Sequence, residues 1–378
     1  MTTTINRFPG PGWILWAFAL AMIVLGAPAI SPTARGAAEE NPGSKDDAKA
    51  SLVTLQAKGI RLDEALRSLR EQTGNPINDL RDPFDAGAAN PMMDLDLEDV
   101  PFLEALDEIA RRGNVSLTPF TGDGSIGIVS GAPPDKEFIA YSGPFRFELK
   151  RFTIRRDYHA GTATADAVFE ASWEPRLRPM LLSLKAQSLE IRDDQGRAVR
   201  PQVAAEATEV VLRPETPSVE VAVNLEAPER SARTLAVVKA RAEATMPVDL
   251  KTFRFPSLAE ANVELQQGEV GAKLVGTEVD GHVWRVGLEL NYPKGGLAFE
   301  SFRQGLFNNR IWLRKGDGSR VELNGGFSTT GGGDGRLRFE YLFLDVPGKP
   351  DDYQLVYEAP SRLAVVPLEF EFHDVALP

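Results

Sequence analysis

The chain reads as a multidomain α+β protein: a small α/β module followed by two antiparallel β-sandwich domains. Three observations carry that expectation. Apolar residues recur at helical spacing only within residues 51–131, they alternate at period two through most of residues 138–378, and landmarks repeat about 120 residues apart in the second stretch. The 378 residues suffice for two or three domains of ordinary size. With 43% hydrophobic and 25% charged residues the composition is close to the globular average, so packed cores are expected.

The chain has no cysteine, which excludes a disulfide scaffold and every thiolate metal site. A formal net charge of −12 works against binding a phosphate backbone, so nucleic acid is not an expected partner. Trp13 to Leu25 is an apolar run of 13 residues, preceded by Arg7 and followed by Gly26 and Ala27-Pro28-Ala29. That run is short for a membrane span, which needs about 20 residues, and fits the hydrophobic stretch of a secretory leader ending in an Ala-x-Ala site. The expectation is therefore a signal peptide over 1–29, with an uncleaved anchor as the alternative, and a periplasmic or extracellular location. Residues 30–50 hold Pro, Gly, Glu, Asp and Lys with almost no large apolar side chain, as a flexible linker does.

In residues 51–131 the spacing of Leu62, Ala65, Leu66, Leu69 and Thr73 predicts a helix stopped by Gly74-Asn75. A second helix opens at Pro101, taken as its first residue, and carries Phe102, Ala105, Leu106 and Ile109 before Gly113-Asn114. Strands are expected at Leu52 to Gln56, Met93 to Leu97, Val115 to Thr118 and Ile126 to Val129, with Gly122-Asp123-Gly124 turning the last pair. Glu64-Ala65-Leu66 returns as Glu104-Ala105-Leu106. A strand followed by a helix with Glu-Ala-Leu, then the same again, resembles the secretin and TonB short N-terminal domain. That resemblance implies a periplasmic module used for protein–protein contact, without catalysis. No secretin pore or receptor barrel is expected downstream.

The β region is predicted from runs such as Phe145, Phe147 and Leu149, where the parity flips after Lys150 and so implies a bulge. Val219 to Leu225, Trp284 to Leu290 and Val366 to Phe372 alternate in the same way. Sandwich domains are expected over 138–256 and 257–378. The second is read as a possible duplicate of the first, because Leu189-Glu190-Ile191 with its Asp-Gln-Gly turn answers Ile311-Trp312-Leu313 with Asp317-Gly318, and Met246-Pro247 answers Val366-Pro367.

Little in the sequence points to chemistry. The three histidines, His159, His282 and His373, fall on different turns and strands, where convergence on zinc is not expected. Asp79, Asp82, Asp85, Asp94 and Asp96 do not follow a calcium-loop spacing. The glycines at 325–326, 331–333 and 335 lack the helix and lysine of a phosphate loop and are expected as a mobile hairpin tip or a binding loop. The reading is a non-enzymatic exported protein, without cofactor or metal, that contacts an envelope protein partner. Exposed charges on the helices, Glu64, Arg67 and Glu108, are the candidate contact residues. Two alternatives stay open: a carbohydrate- or polymer-binding protein, with Trp173, Trp284 and Trp312 as a stacking platform, and an envelope hydrolase built on paired carboxylates.

Overall fold

The computed structural model describes residues 49–82, 90–203, 207–213, 215–292, 309–333 and 335–378. The expected leader, all of the linker but Lys49 and Ala50, and Asp85 of the acidic loop lie outside the described residues. The N-terminal segment runs β1 (Leu52–Arg61), α1 (Leu62–Thr73), β2 (Ile77–Asp79), β3 (Met92–Pro101), α2 (Phe102–Gly113), β4 (Val115–Thr118) and β5 (Ile126–Ser130). Both helices carry acids in the first turn and arginines in the last, which suits the helix dipole. Gly74 (φ 68°) and Asn114 (φ 49°) end them in the left-handed conformation. Pro101 has extended ψ and stands at the N-cap, not at the first helical position. Leu62, Leu66 and Leu69 of α1 pack with Phe102, Leu106 and Ile109 of α2, between the β1–β3 ribbon and a three-stranded β2-β5-β4 sheet.

Next come β6 (Ile139–Ser142), β7 (Phe145–Asp157), β8 (Thr162–Trp173), β9 (Leu181–Lys185), β10 (Glu190–Asp193), β11 (Ala207–Val211), β12 (Ser218–Glu226) and β13 (Thr234–Phe255). The remainder is β14 (Val263–Gln267), β15 (Val270–Asp280), β16 (Val283–Asn291), β17 (Ile311–Lys315), β18 (Arg320–Glu322), β19 (Phe327–Gly333), β20 (Arg336–Leu344) and β21 (Tyr353–Ala376). A four-stranded sheet, β12-β8-β7-β6, faces one end of a seven-stranded sheet. A five-stranded sheet, β14-β15-β16-β20-β19, faces its other end. The register slip expected after Lys150 is present, falling between Leu149 and Arg151 where β7 pairs β8. The glycines at 331–333 lie in a strand paired with β20, not in a loop.

The expected fold class is overturned. The chain is about 60% strand and 11% helix, with two α-helices among the described residues. It is not a balanced α+β assembly with an independent α/β module. All the described residues fall in one compact unit. The physical reason lies in two long strands. β13 and β21 pair antiparallel from Thr234↔Ala376 to Phe255↔Leu355, and each crosses both cores. The first core takes Leu235 to Met246 from β13 but closes on Leu368, Phe370 and Phe372 from β21. The second takes Phe253 and Phe255 from β13 and Tyr353, Leu355 and Tyr357 from β21. Neither core is complete without the other half of the sequence. Periodicity reports which face of a strand is buried; it is blind to a strand that passes from one core to the next.

The N-terminal segment is fastened to the first core by a fully buried carboxylate. Glu174 accepts hydrogen bonds from Ser51 N (2.7 Å), Ser51 Oγ (2.7 Å), Asn75 Nδ2 (3.1 Å) and Arg176 Nε (2.6 Å). Four donors compensate the desolvation that an unpaired buried carboxylate would suffer.

Candidate functional site

The outer face of β12-β8-β7-β6 lies against the N-terminal segment, and between them is a cleft of about 400 Å³. Its wall is mainly apolar, with Leu103, Leu117, Pro119, Phe120, Ile126 and Pro134, and its floor is ionic, with Arg146, Glu148, Lys150 and Glu170 beside Ser172. An apolar wall with a few convergent polar groups is the usual make-up of a ligand site. Phe120 is 61% exposed. A second hollow where β13 and β21 meet holds only about 40 Å³, little more than room for water.

The floor follows from strand alternation. Phe145, Phe147 and Leu149 of β7 point into the first core, so Arg146 and Glu148 point outward; on β8, Phe169 and Ala171 point inward, and Glu170 and Ser172 outward. Register places Glu148 directly opposite Glu170, and Glu170 directly opposite Glu220 of β12. Three glutamates therefore stand side by side across adjacent strands, an arrangement that is repulsive unless something offsets it.

The offset is built in. Lys150 Nζ is 3.2 Å from Glu148 and 3.6 Å from Glu170, so one ammonium serves two carboxylates. Arg146 Nη1 is 2.8 Å from Glu148, and its Nε is 2.7 Å from Asp107 of α2. Tyr141 donates its hydroxyl to the same Asp107 carboxylate at 2.7 Å. Arg146 and Asp107 are both almost wholly buried, so this pair is the electrostatic joint between helix and sheet. Burial works against charge on Arg146, but Asp107 and Glu148 outweigh it and keep the guanidinium ionised. Burial also disfavours the Lys150 ammonium, and there Glu170 and Glu148 prevail and hold it above the ordinary lysine range. For Glu170 burial dominates and raises its carboxyl above the usual range, with Lys150 pulling the other way. Burial, then the negative charge of Asp107, raises the Tyr141 phenol.

None of the three contact residues expected on the helices lines this cleft. Glu64 is half-buried and paired with Arg61 at 2.8 Å. Arg67 is exposed on α1. Glu108 is half-buried and held by Arg111 and by Arg112, the latter at 2.7 Å. The three tryptophans make no stacking platform. Trp173 packs in the first core near Phe145, Trp284 in the second against Tyr353, and Trp312 is buried under arginines. Among the described residues no group of three or more His, Asp or Glu could hold a metal ion.

Asp107, Arg146, Glu148 and Glu170 were not picked out from the sequence. A faint signal for Asp107 exists. It sits with Leu103 and Ala110 in a second stripe beside the apolar face of α2, and a helix with two such stripes is covered on both sides.

No family model matches the chain, and no curated protein matches it. Among solved structures, it is similar to the conserved domain protein from Bacillus anthracis at 7% identity and a TM-score of 0.20, over 64% of this chain and 90% of that one. At that score the likeness carries no argument about fold or function.

Proposed function

We propose that this is a non-enzymatic exported protein of the cell envelope, which works by holding a short segment of a partner protein in the cleft between its N-terminal segment and the outer face of the first core's four-stranded sheet. The observation that carries the reading is the cleft itself, with apolar walls above a floor where Arg146, Glu148, Lys150 and Glu170 already have ionic partners within the protein. A floor of that kind offers orientation to a peptide and leaves no unengaged acid or base for chemistry. The leader-like run at Trp13 to Leu25 supports export. The resemblance of the two Glu-Ala-Leu helices to the secretin and TonB short N-terminal domain supports contact in the envelope.

The test is site-specific photocrosslinking in the native cell. A photoreactive residue in place of Phe120 should trap one discrete partner, and the same residue in place of Tyr158, in the turn after β7, should not. Filling the cleft with Thr118→Trp should abolish the Phe120 product while the melting temperature holds. Equal labelling from both positions, or a product that survives the filled cleft, would refute the reading.

One observation favours hydrolysis as a second reading. Glu148 and Glu170 oppose each other at the floor of a cleft, and burial raises the Glu170 carboxyl as a general acid requires. Lys150 counts against it, because its ammonium stands where a scissile bond would have to lie. Turnover that disappears in Glu170→Gln while ligand binding remains would establish the hydrolase.

A further inference from the structure

The seven-stranded sheet carries, over the second core, an outer face rich in arginine. Ile311 and Leu313 of β17 point into the core, so Arg310, Trp312 and Arg314 point outward. Across the strands Trp312 stands level with Val356 and Arg254 on one side and Glu322 on the other. Arg314 stands directly opposite Arg320, a like-charge pair that a sheet does not adopt for its own stability. The guanidinium carbons of Arg310 and Arg320 lie 5.2 Å and 4.9 Å from the centre of the Trp312 ring. They bury the indole to 5% exposure and hold two arginines in place by cation–π contact. Trp312 Nε1 has no acceptor among the described residues. Glu358 is engaged from two sides, by Arg178 at 3.4 Å and Arg310 at 3.9 Å, which shows how this face receives a carboxylate. Among the described residues Arg254, Arg314 and Arg320 have no carboxylate partner, and all three are exposed.

A matching row of opposite sign lies on the N-terminal segment. In β3 the buried residues Met93, Leu95 and Leu97 alternate with exposed Asp94, Asp96 and Glu98. Asp94 accepts a hydrogen bond from Gly59 N and Asp96 one from Gln56 Nε2, but none of the three is ion-paired among the described residues. At the rise of an extended strand, Asp94 to Glu98 along β3, and Arg310, just before β17, to Arg314 within it, each span about 13 Å.

We infer that the arginine face of one molecule seats the acidic outer row of β3 from a second copy of this chain. Two different patches meet, so the contact is head-to-tail, and each new subunit leaves one patch of each kind free. Repetition gives an open chain of subunits unless the rotation closes a ring. This contact uses neither the cleft nor its charges and stands apart from the reading above.

Sedimentation velocity over a concentration series tests it, with two charge reversals. Arg314→Glu with Arg320→Glu reverses one row, and Asp96→Lys with Glu98→Lys reverses the other. The unaltered protein should associate with rising concentration, and each double variant alone should weaken association on the order of tenfold or more, because like charges then face each other. An equimolar mixture of the two variants should associate again, since each supplies the row that the other has lost; that rescue also shows that both are folded. An unaltered protein that stays monomeric throughout overturns the inference, whatever other polyanion the arginines bind. So does association that survives either reversal, or a mixture that fails to recover.

Discussion

The two halves of the molecule build the same strand order and treat its outer face in opposite ways. Over the first core the order is β12-β8-β7-β6, and over the second β20-β16-β15-β14, with β19 added beside β20. Where the first carries Glu148, Glu170 and Glu220 in one row, the second carries Lys273, Glu289 and Arg338. Opposite charges directly across strands contribute roughly 0.2–1 kcal/mol each, and like charges cost a comparable amount. The second face therefore settles its own electrostatics: Arg338 Nε donates to Glu289 at 3.1 Å, and Lys273 reaches Glu264 at 3.3 Å. The first draws its compensation from outside the row, from Lys150 and Arg146 on β7 and, through Arg146, from Asp107 on α2. The sheet did not need three glutamates to be a sheet. Their presence marks the first face as one shaped for what lies over it.

The most forceful way to break that contrast is to remove the joint. Asp107→Ala leaves Arg146 buried with one carboxylate where it had two, and takes the acceptor from the Tyr141 hydroxyl. Breaking a buried pair from one side ordinarily costs about 3–5 kcal/mol, and the remaining Glu148 contact sets the expectation near the lower end. Denaturant unfolding measures it. A loss well under about 1 kcal/mol would mean that the helix pair is not electrostatically fastened to the sheet.

How much of this could be read in the sequence divides along the same line. The helices and most strands could be, because Leu62-Ala65-Leu66-Leu69 and Phe145-Phe147-Leu149 are local periodicities, and even the bulge at Lys150 shows as a break in parity. The exchange of β13 and β21 between cores could not, because Met246 and Leu368 alternate as any core residues do. The site suffered most. Arg67 and Asp107 occupy equivalent places 40 residues apart in the two Glu-Ala-Leu helices, yet Arg67 faces solvent and Asp107 is buried against Arg146. What separates them is the neighbouring stripe, Asp63 and Arg70 on α1 but Leu103 and Ala110 on α2. Helical spacing alone puts Glu64, Arg67 and Glu108 on the polar side and does not single out Asp107, the charge buried against Arg146. The glutamate row depends on register between three strands, which no single stretch of sequence contains.

A gentler change sharpens the contrast through pH. The Glu170 carboxyl is raised above its unfolded value, chiefly by burial, so folding disfavours its ionisation relative to the unfolded chain. Its favourable contribution is complete below the unfolded value of 4.5 and is lost as pH rises through the folded value. Glu170→Gln keeps the shape and never ionises. The variant should gain in melting temperature relative to the parent as pH rises from about 4 to about 8, with no gain at the acid end. A difference that is flat with pH would show that Lys150 fully compensates Glu170, and that the first row is as settled as the second.

The smallest effect is expected on the open face, and its smallness is what gives it value. Arg338→Ala removes the cation facing Glu289 in the second row, at a position where the arginine side chain is 52% exposed. Exposed pairs of this kind are worth about 0.2–1 kcal/mol, since water solvates both partners and the long side chain gives up rotamer freedom to meet. Salt screens what remains, with a Debye length of about 10 Å at 0.1 M falling to about 3 Å at 1 M. The loss on Arg338→Ala should therefore be under about 1 kcal/mol and should shrink further toward 1 M salt. The loss on Asp107→Ala, at a joint closed to solvent, should hardly respond to salt. Measured side by side in denaturant at both ionic strengths, the two substitutions test whether burial is what separates the halves. Were both losses to fall together with salt, the N-terminal segment would be admitting solvent to the row it covers, and the contrast between the faces would reduce to sequence alone.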